Sequence, residues 1–230
     1  MNKWKGAGPI KTLGVLGGLG PAASCRFYEM LIRLWPARRD QDHPDVILYS
    51  KASIPDRTAH LLRESGESPL PALIEGIHTL ERAGARVIAV PCVTAHHFYP
   101  EMRAAATVPV LDMLALTARA LRAQGVSRAA LLATRGSYRS GSFCAALEAE
   151  GVTALVPPEP QARALMEMIY AIKSGELPGK EALEAFALPL LERGARRVIL
   201  GCTELSLFEE LDGEIYMDPM RVLAEELLCV

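Results

Sequence analysis

Two nine-residue segments of this chain follow one pattern: GARVIAVPC covers residues 84–92 and GARRVILGC covers residues 194–202. They align without a gap at an offset of 110 residues in a chain of 230. Each has a Gly-Ala-Arg lead-in, a short aliphatic run that predicts a buried strand, and a final cysteine, Cys92 or Cys202. An internal duplication of this kind predicts two similar lobes, each of which ends one strand in a cysteine.

Short apolar runs alternate with amphipathic helical patterns along the chain, which predicts an α/β fold with parallel sheets. The predicted strands cover residues 12–16, 46–49, 87–90, 110–111, 129–133, 153–156, 198–200 and 214–216. The predicted helices cover residues 70–83, 114–124, 141–150, 161–173, 180–193 and 219–228. We therefore expect two pseudo-symmetric α/β lobes with the active site in the cleft between them. The N-terminal lobe is predicted to comprise residues 1–113 and 212–230, including a returning C-terminal helix, and the C-terminal lobe residues 114–211.

The bulk composition excludes several classes of protein. The 25 basic and 27 acidic residues nearly cancel and form no basic block, so nothing points to nucleic acid or to an anionic membrane. The apolar stretches are too short to span a bilayer, and the N-terminus lacks a signal-peptide pattern. Five dispersed cysteines are an odd number and indicate free thiols in a reducing compartment, so we expect a cytoplasmic protein.

Five polar or glycine-rich clusters follow predicted strands, and they are GGLGPAAS, IPDRT, PCVTAHH, ATRGSYRSGSF and GCTELS. Ligands of parallel α/β proteins bind at the carboxyl ends of strands, so these clusters are expected to converge on one cleft. Three other patterns are set aside. The glycine turn lacks dinucleotide-binding spacing, SGELPGK lacks Walker spacing, and the CxxxHH cluster at Cys92 lacks further ligands for zinc.

The two repeated cysteines are candidates for chemistry. A single buried cysteine is usually only a small apolar residue, but equivalent positions at two strand ends favour a paired role for Cys92 and Cys202. A thiol beside helix N-terminal amides has a lowered pKa, and two thiols on opposite sides of one carbon provide a two-base proton transfer. Thr94 and Thr203 add hydroxyls where the following helices begin. The other three cysteines, Cys25, Cys144 and Cys229, are interpreted as structural.

Four further groups are candidates for holding a substrate. The turn GVLGGLGP allows close approach of an anion to backbone amides, although a tight turn alone also explains it. Arg57 is suited to a bidentate grip on a carboxylate, or it pairs only with Asp56. Glu204 either stabilises its turn or assists the thiol and a substrate amine. Ser137 offers a hydroxyl for a carboxylate, or it serves only as a helix cap.

These motifs, taken in order over most of the chain, resemble the aspartate/glutamate racemase family of cofactor-independent amino acid racemases. The segments that carry the resemblance are GGLGP, IPDRTAHLL, PCVTAHHFY, VPVLDM, LLATRGSYRSG and GCTEL. The resemblance implies two pseudo-symmetric lobes, a homodimer, and a small amino acid or dicarboxylic acid bound between the lobes. It also implies that one cysteine, as thiolate, removes the α-proton while the other delivers a proton to the opposite face.

Carried over by position, the resemblance makes Cys92 and Cys202 the two catalytic bases. The substrate-binding residues it implies are Leu19, Arg57, Val93, Thr94, Thr203 and Glu204, and Lys173 in IYAIKSG matches a carboxylate-binding lysine of some aspartate racemases. No pattern identifies a lysine for pyridoxal phosphate, so we expect no cofactor and no metal.

The chain departs from the family pattern at the first cysteine. The family usually reads PCNTAH, and Val93 replaces an asparagine that is expected to hydrogen-bond the substrate. Leu19 stands where methionine is common, and DPMRVLAEE lacks the threonine and histidine often found after the DP pair. The substrate is therefore left open.

Two other functions stay open from the sequence. One is an isomerase or decarboxylase of another small carboxylic acid in the same superfamily. The other is a catalytically silent protein that binds a small carboxylate. A thiol redox or structural role for the pair lacks a CxxC motif to support it.

Overall fold

The computed structural model describes residues 12–64 and 66–229. Its strands are β1 (Thr12–Gly17), β2 (Asp45–Ser50), β3 (Val87–Ala89), β4 (Arg128–Ala133), β5 (Thr153–Leu155), β6 (Arg197–Gly201) and β7 (Tyr216–Met217). The helices of the first half are α1 (Pro21–Leu34), α2 (Arg57–Leu62), α3 (Leu70–Arg82), α4 (Tyr99–Ala105) and α5 (Met113–Ala123). Those of the second half are α6 (Arg135–Ser140), α7 (Ser142–Ala149), α8 (Glu159–Lys173), α9 (Lys180–Glu192) and α10 (Pro219–Leu227). Short 3₁₀ helices cover Asp40–Asp42, Thr94–Phe98 and Thr203–Leu207.

The strands form two parallel sheets. The first has the order β2-β1-β3 and the second has the order β5-β4-β6-β7. Every described strand pairing is parallel, so the carboxyl ends of the strands of each sheet lie at one edge. The predicted α/β fold with two parallel-sheet lobes is confirmed.

Alternating side chains of the central strands divide the interior into three cores. Leu13 and Val15 of β1 and Leu131 of β4 face a central core, which lies between the sheets and includes residues of α1, α5, α7 and α10. Leu16 of β1 faces a core under α3 and α4, and Leu132 of β4 faces a core under α8 and α9. This period of two is what strands buried on both faces require.

The internal repeat is visible in backbone pairing. Ile88 of β3 bridges Val110, and Val198, 110 residues after Ile88, pairs with Tyr216. The prediction of a strand over residues 110–111 is nevertheless wrong, because Val110 makes one isolated bridge, flanked by hydrogen bonds that Ile88 exchanges with Pro109 and Leu111. The last strand is also displaced, from the predicted residues 214–216 to Tyr216–Met217.

Three short helices near the strand ends, α2, α4 and α6, were not predicted. Asp56 caps α2 by accepting a hydrogen bond from the Ala59 amide, and Thr134 caps α6 by accepting one from the Ser137 amide. Gly141, in a left-handed conformation (φ 69°), separates α6 from α7, so the helix predicted to begin at residue 141 begins at Ser142. Helices of six or seven residues are too short to show a clear periodicity.

The C-terminal segment connects the two halves. Strand β7 pairs with β6 in the second sheet, and α10 packs against α1 and α5. The predicted lobe boundaries at residues 113 and 212 stay a prediction, and their residues 1–11, 65 and 230 lie outside the described part of the chain. No helix among the described residues is long and apolar enough to cross a membrane.

The turn after β1 depends on Gly18, and replacing it tests the fold. Gly18 has φ 86°, and a Cβ there would lie 2.5 Å from backbone atoms of Lys51. Gly18→Ala should lower the free energy of unfolding by roughly 2–4 kcal/mol, since left-handed strain and overpacking add. Gly213→Ala is the matched control, because a Cβ there has open space and no left-handed backbone. Urea denaturation measures both variants, and equal losses would contradict this account of the turn.

Candidate active site

A small pocket lies at the carboxyl ends of β1, β3, β4 and β6, between the two sheets. Its lining residues come from all five strand-end clusters and from α8, and they are Leu19, Asp56, Arg57, Thr58, Cys92, Val93, Thr94, Thr134, Met166, Lys173, Cys202, Thr203 and Glu204. The free space is about 10 Å³, which is room for roughly one water molecule. An amino acid can occupy this pocket only if the lining side chains move apart.

Cys92 follows β3 in a tight backbone bend. Its amide donates to the Val90 carbonyl at 2.7 Å, and the 3₁₀ helix Thr94–Phe98 begins two residues later. Cys92 is 5% exposed, and the adjacent Val93 packs its side chain into the central core. The thiol is therefore held at the pocket wall by a backbone that has little freedom.

Cys202 occupies the equivalent position after β6, at the start of the 3₁₀ helix Thr203–Leu207. Its thiol donates a hydrogen bond to Oε2 of Glu204 at 3.0 Å. Burial, and secondly the charge of Glu204, raise the pKa of Cys202 well above the usual thiol value, although Lys173 partly opposes them. The expected lowering of the thiol pKa by helix amides is therefore wrong for Cys202, which is protonated at neutral pH.

An ion pair between partly exposed Lys173 and buried Glu204 lies beside this thiol. Lys173, the last residue of α8, contacts Oε1 of Glu204 through its ammonium group and also approaches the Leu19 carbonyl at 3.4 Å. Burial lowers the pKa of Lys173, but the charge of the Glu204 carboxylate and its hydrogen bond raise the pKa, and the net shift is upward, so the ammonium is charged at neutral pH. A Cβ on Gly20 would overlap the Glu204 carboxylate, so the glycine turn makes space for the ion pair.

Arg57 donates to the same Leu19 carbonyl that Lys173 approaches. It is the first residue of α2, and its guanidinium donates to the carbonyls of Leu19, Pro55 and Ile54 at 2.7, 3.1 and 3.3 Å. Asp56, the alternative partner considered from the sequence, instead caps α2. The Nε atom of Arg57 is buried and has no hydrogen-bond acceptor. The guanidinium of Arg57, a residue that lines the pocket, thus retains one unpaired donor, which is costly unless an acceptor is supplied.

Three hydroxyls join the two sheets at the floor of the pocket. The side-chain oxygens of Thr94, Thr134 and Ser137 lie 2.9 Å from one another in each pairing. Thr94 follows β3, whereas the other two residues follow β4. Ser137 does not line the pocket but orients the two threonines that do. Thr203, after β6, approaches Oε2 of Glu204 at 3.5 Å.

The structure brings nine of the ten site residues considered from the sequence into the pocket lining and places Ser137 directly behind it. Sequence reasoning missed four lining residues, Asp56, Thr58, Thr134 and Met166. The position of Thr134 could have been found from the sequence, since a threonine before a short polar segment is typical of a helix N-cap at a strand end. Nothing in the sequence pointed to Met166, because an apolar residue within an amphipathic helix normally belongs to a core.

Comparisons with known proteins agree with the fold and the motifs. The chain is 27% identical over 211 residues to the broad specificity amino-acid racemase RacX of Bacillus subtilis, covering 88% of this chain and 90% of the relative. Among solved structures it resembles an aspartate racemase of Picrophilus torridus, with a TM-score of 0.82, 28% identity and coverage of 95% and 93% of the two chains. An aspartate racemase homologue from Pyrococcus horikoshii OT3 gives a TM-score of 0.76 at 26% identity, with coverage of 95% and 98%.

The family model described as Asp/Glu/Hydantoin racemase matches residues 16–227, nearly the whole described chain, and this confirms the resemblance expected from the motifs. The chain therefore belongs to the Asp/Glu/Hydantoin racemase family.

Proposed function

We propose that this chain is a cofactor-independent amino acid racemase in which Cys92 and Cys202 act as an opposed acid/base pair. The observation that carries the proposal is that two thiols at equivalent positions of the repeat line one pocket. In the forward half-reaction the thiolate of one cysteine removes the α-proton, and the thiol of the other gives its proton to the opposite face of the carbon. The cysteine that was the base ends as a thiol, and the acid ends as a thiolate.

The surroundings of Cys202 favour it as the acid of the first half-reaction. Its thiol is protonated at neutral pH and already hydrogen-bonded to Glu204. Cys92 is then the base. After Cys202 has given up its proton, the ammonium of Lys173 stabilises the thiolate, because this charge lowers the pKa of Cys202.

The difficult step is removal of a weakly acidic α-proton without an electron sink. The negative charge that develops on the substrate carboxylate needs donors that are already in place. Arg57, with its unpaired Nε–H, and the hydroxyl of Thr203 are suited to this task. Lys173 and Glu204 together provide a cation and an acceptor for the carboxylate and the amino group of the substrate.

Val93 is one of the pocket residues on which the identity of the amino acid substrate depends. Val93 lines the pocket between Cys92 and Thr94, at the boundary with the central core, where the family pattern has an asparagine. Aspartate and glutamate are the first candidates, and the broad specificity in the name of the Bacillus subtilis relative supports testing a wide panel. The homodimer expected from the resemblance stays a prediction.

The racemase reaction predicts exchange of the α-proton with solvent. In deuterated buffer with reductant and no added cofactor, at least one L- or D-amino acid should incorporate deuterium at the α-carbon as it racemises. Cys92→Ser and Cys202→Ser should each lower the racemisation rate by roughly 10²–10⁴-fold, because each removes an acid/base group. Cys25→Ser, a change at an exposed cysteine, is the control and should retain full activity.

The same assay separates the alternatives. Release of carbon dioxide would favour the decarboxylase, and ligand binding without exchange would favour the silent carboxylate-binding protein. Full racemisation by Cys202→Ser would overturn the two-base assignment.

Replacing Glu204 tests the electrostatics of the acid. Glu204→Gln removes a negative charge that raises the pKa of Cys202, while burial of the thiol is unchanged. The pH at which Cys202 becomes reactive to iodoacetamide should therefore fall. Glu209→Gln, the same change at an exposed residue five positions later, should leave the pH of Cys202 reactivity unchanged. Site-resolved mass spectrometry over a pH series measures both variants, and an unchanged or higher midpoint in Glu204→Gln would contradict the assignment.

Replacing Val93 tests the origin of substrate preference. Val93→Asn restores an amide beside the substrate and should raise kcat/KM for aspartate relative to apolar amino acids by about tenfold or more, since a matched polar contact discriminates strongly. Val93→Ala removes the same packing without adding an amide and should give no such shift. Steady-state kinetics on the panel provides the ratio, and parallel changes in the two variants would assign the effect to lost packing alone.

A further inference from the structure

The two cysteine loops have a second feature in common, which the proposed chemistry does not use. His96 lies four residues after Cys92, and Ser206 lies four residues after Cys202, so the two side chains are equivalent in the 110-residue repeat. Each is buried, with 2% exposure for His96 and 3% for Ser206. Each also makes a hydrogen bond to the start of a helix that an aspartate caps, α5 after Asp112 and α10 after Asp218.

His96 connects the Cys92 backbone to α5. Its Nε2 accepts a hydrogen bond from the Met113 amide at 3.2 Å, and a backbone amide can only donate. Nδ1 therefore carries the ring proton and donates it to the Cys92 carbonyl at 2.8 Å. The ring stacks on Tyr99 with centroids 6.0 Å apart, and burial lowers its pKa, so it stays neutral. Because Nε2 is engaged by the amide and Nδ1 carries the proton, neither nitrogen is free to bind a metal.

Ser206 connects the Cys202 loop to α10. Its hydroxyl donates to Oδ1 of Asp218 at 2.9 Å, and the same oxygen accepts the Met220 amide at 2.8 Å as the cap of α10. Ser206 belongs to the 3₁₀ helix that also contains Thr203 and Glu204. The carboxylate therefore fixes the end of the loop that presents the Cys202 thiol and its partner.

Helices α5 and α10 pack against each other in the central core. A loop tied to α5 and a loop tied to α10 are consequently held relative to each other by one packed helix pair. Proton transfer at one carbon requires that the two thiols be held in fixed positions, because displacing a catalytic group by about 1 Å can lower the rate on the order of 10²-fold.

We propose that His96 and Ser206 are paired positioning residues, each of which fixes one catalytic thiol against the α5–α10 helix pair. His96 acts on Cys92, and Ser206, through Asp218, acts on Cys202. The catalytic consequence rests on the proposed function, whereas the positioning itself does not.

Alkylation of individual cysteines tests the pairing without substrate. In His96→Phe, which keeps an aromatic ring but removes both hydrogen bonds, the iodoacetamide rate constant of Cys92 should rise about tenfold while that of Cys202 changes less than about twofold. Ser206→Ala should give the reverse pattern. Cys144 in α7, partly buried and outside both loops, reports any general opening of the fold. Site-resolved mass spectrometry gives all three rate constants in one experiment.

Conservative variants separate positioning from simple destabilisation. His96→Gln, which retains one donor and one acceptor, should restore much of the protection of Cys92. Asp218→Asn, which retains the acceptor for Ser206 but removes the charge, should leave Cys202 near its original rate. If His96→Phe does not fold, His96→Leu, which also removes both hydrogen bonds, takes its place and should accelerate Cys92 alone, while Ser206→Ala tests the second loop independently.

Several outcomes would overturn the proposal. They are equal acceleration of Cys92, Cys202 and Cys144 in either variant, acceleration of the wrong cysteine, or unchanged rates in both folded variants. If an amino acid is racemised, kcat should fall about 10–100-fold in His96→Phe and Ser206→Ala with KM changed only a few-fold. Loop-specific alkylation in a protein that exchanges no α-proton would refute the proposed function and leave the positioning role intact.

Discussion

The central core between the two sheets is the constraint on which the rest of the structure depends. The inner faces of β1, β3, β4 and β6 pack with α1, α5, α7 and α10 into one apolar cluster. Because the strands within each sheet are parallel and the two sheets share this core, their carboxyl ends meet at a common edge. The packing of aliphatic side chains thereby brings residues more than a hundred positions apart in the sequence to one pocket.

The polar groups at that edge are costly to bury, and the pocket stabilises them in pairs. The Glu204 carboxylate is compensated by Lys173 and by the Cys202 thiol, and the three hydroxyls of the floor satisfy one another. The Nε of Arg57 is the exception, a buried donor without an acceptor. The pocket thus pairs its charged groups and leaves one buried donor of Arg57 without a partner.

Much of the fold was predictable from the sequence. The repeat ending in Cys92 and Cys202 indicated two similar lobes, and the strand-end clusters indicated where a pocket would form. The short helices α2, α4 and α6 were not predicted, because segments of six or seven residues show no clear periodicity, although the caps Asp56 and Thr134 gave a local signal for two of them. The pattern at residues 110–111 predicted a strand, whereas the structure has a single bridge at Val110, because two apolar residues have the same composition in a strand and in an isolated bridge.

The sequence by itself determined the repeat, the parallel α/β architecture and the residue types at the strand ends, because hydrophobic periodicity and glycine positions are local properties. Only the tertiary structure decided that Cys202 is a protonated thiol beside Glu204, that Lys173 reaches this site from the end of α8, and that Arg57 keeps an unpaired donor there. Local pattern favoured a thiolate at a helix start, but burial and a neighbouring carboxylate outweighed the helix amides. Protonation depends on the desolvation and charge that distant segments create when they pack together, and no local window of the chain contains that information.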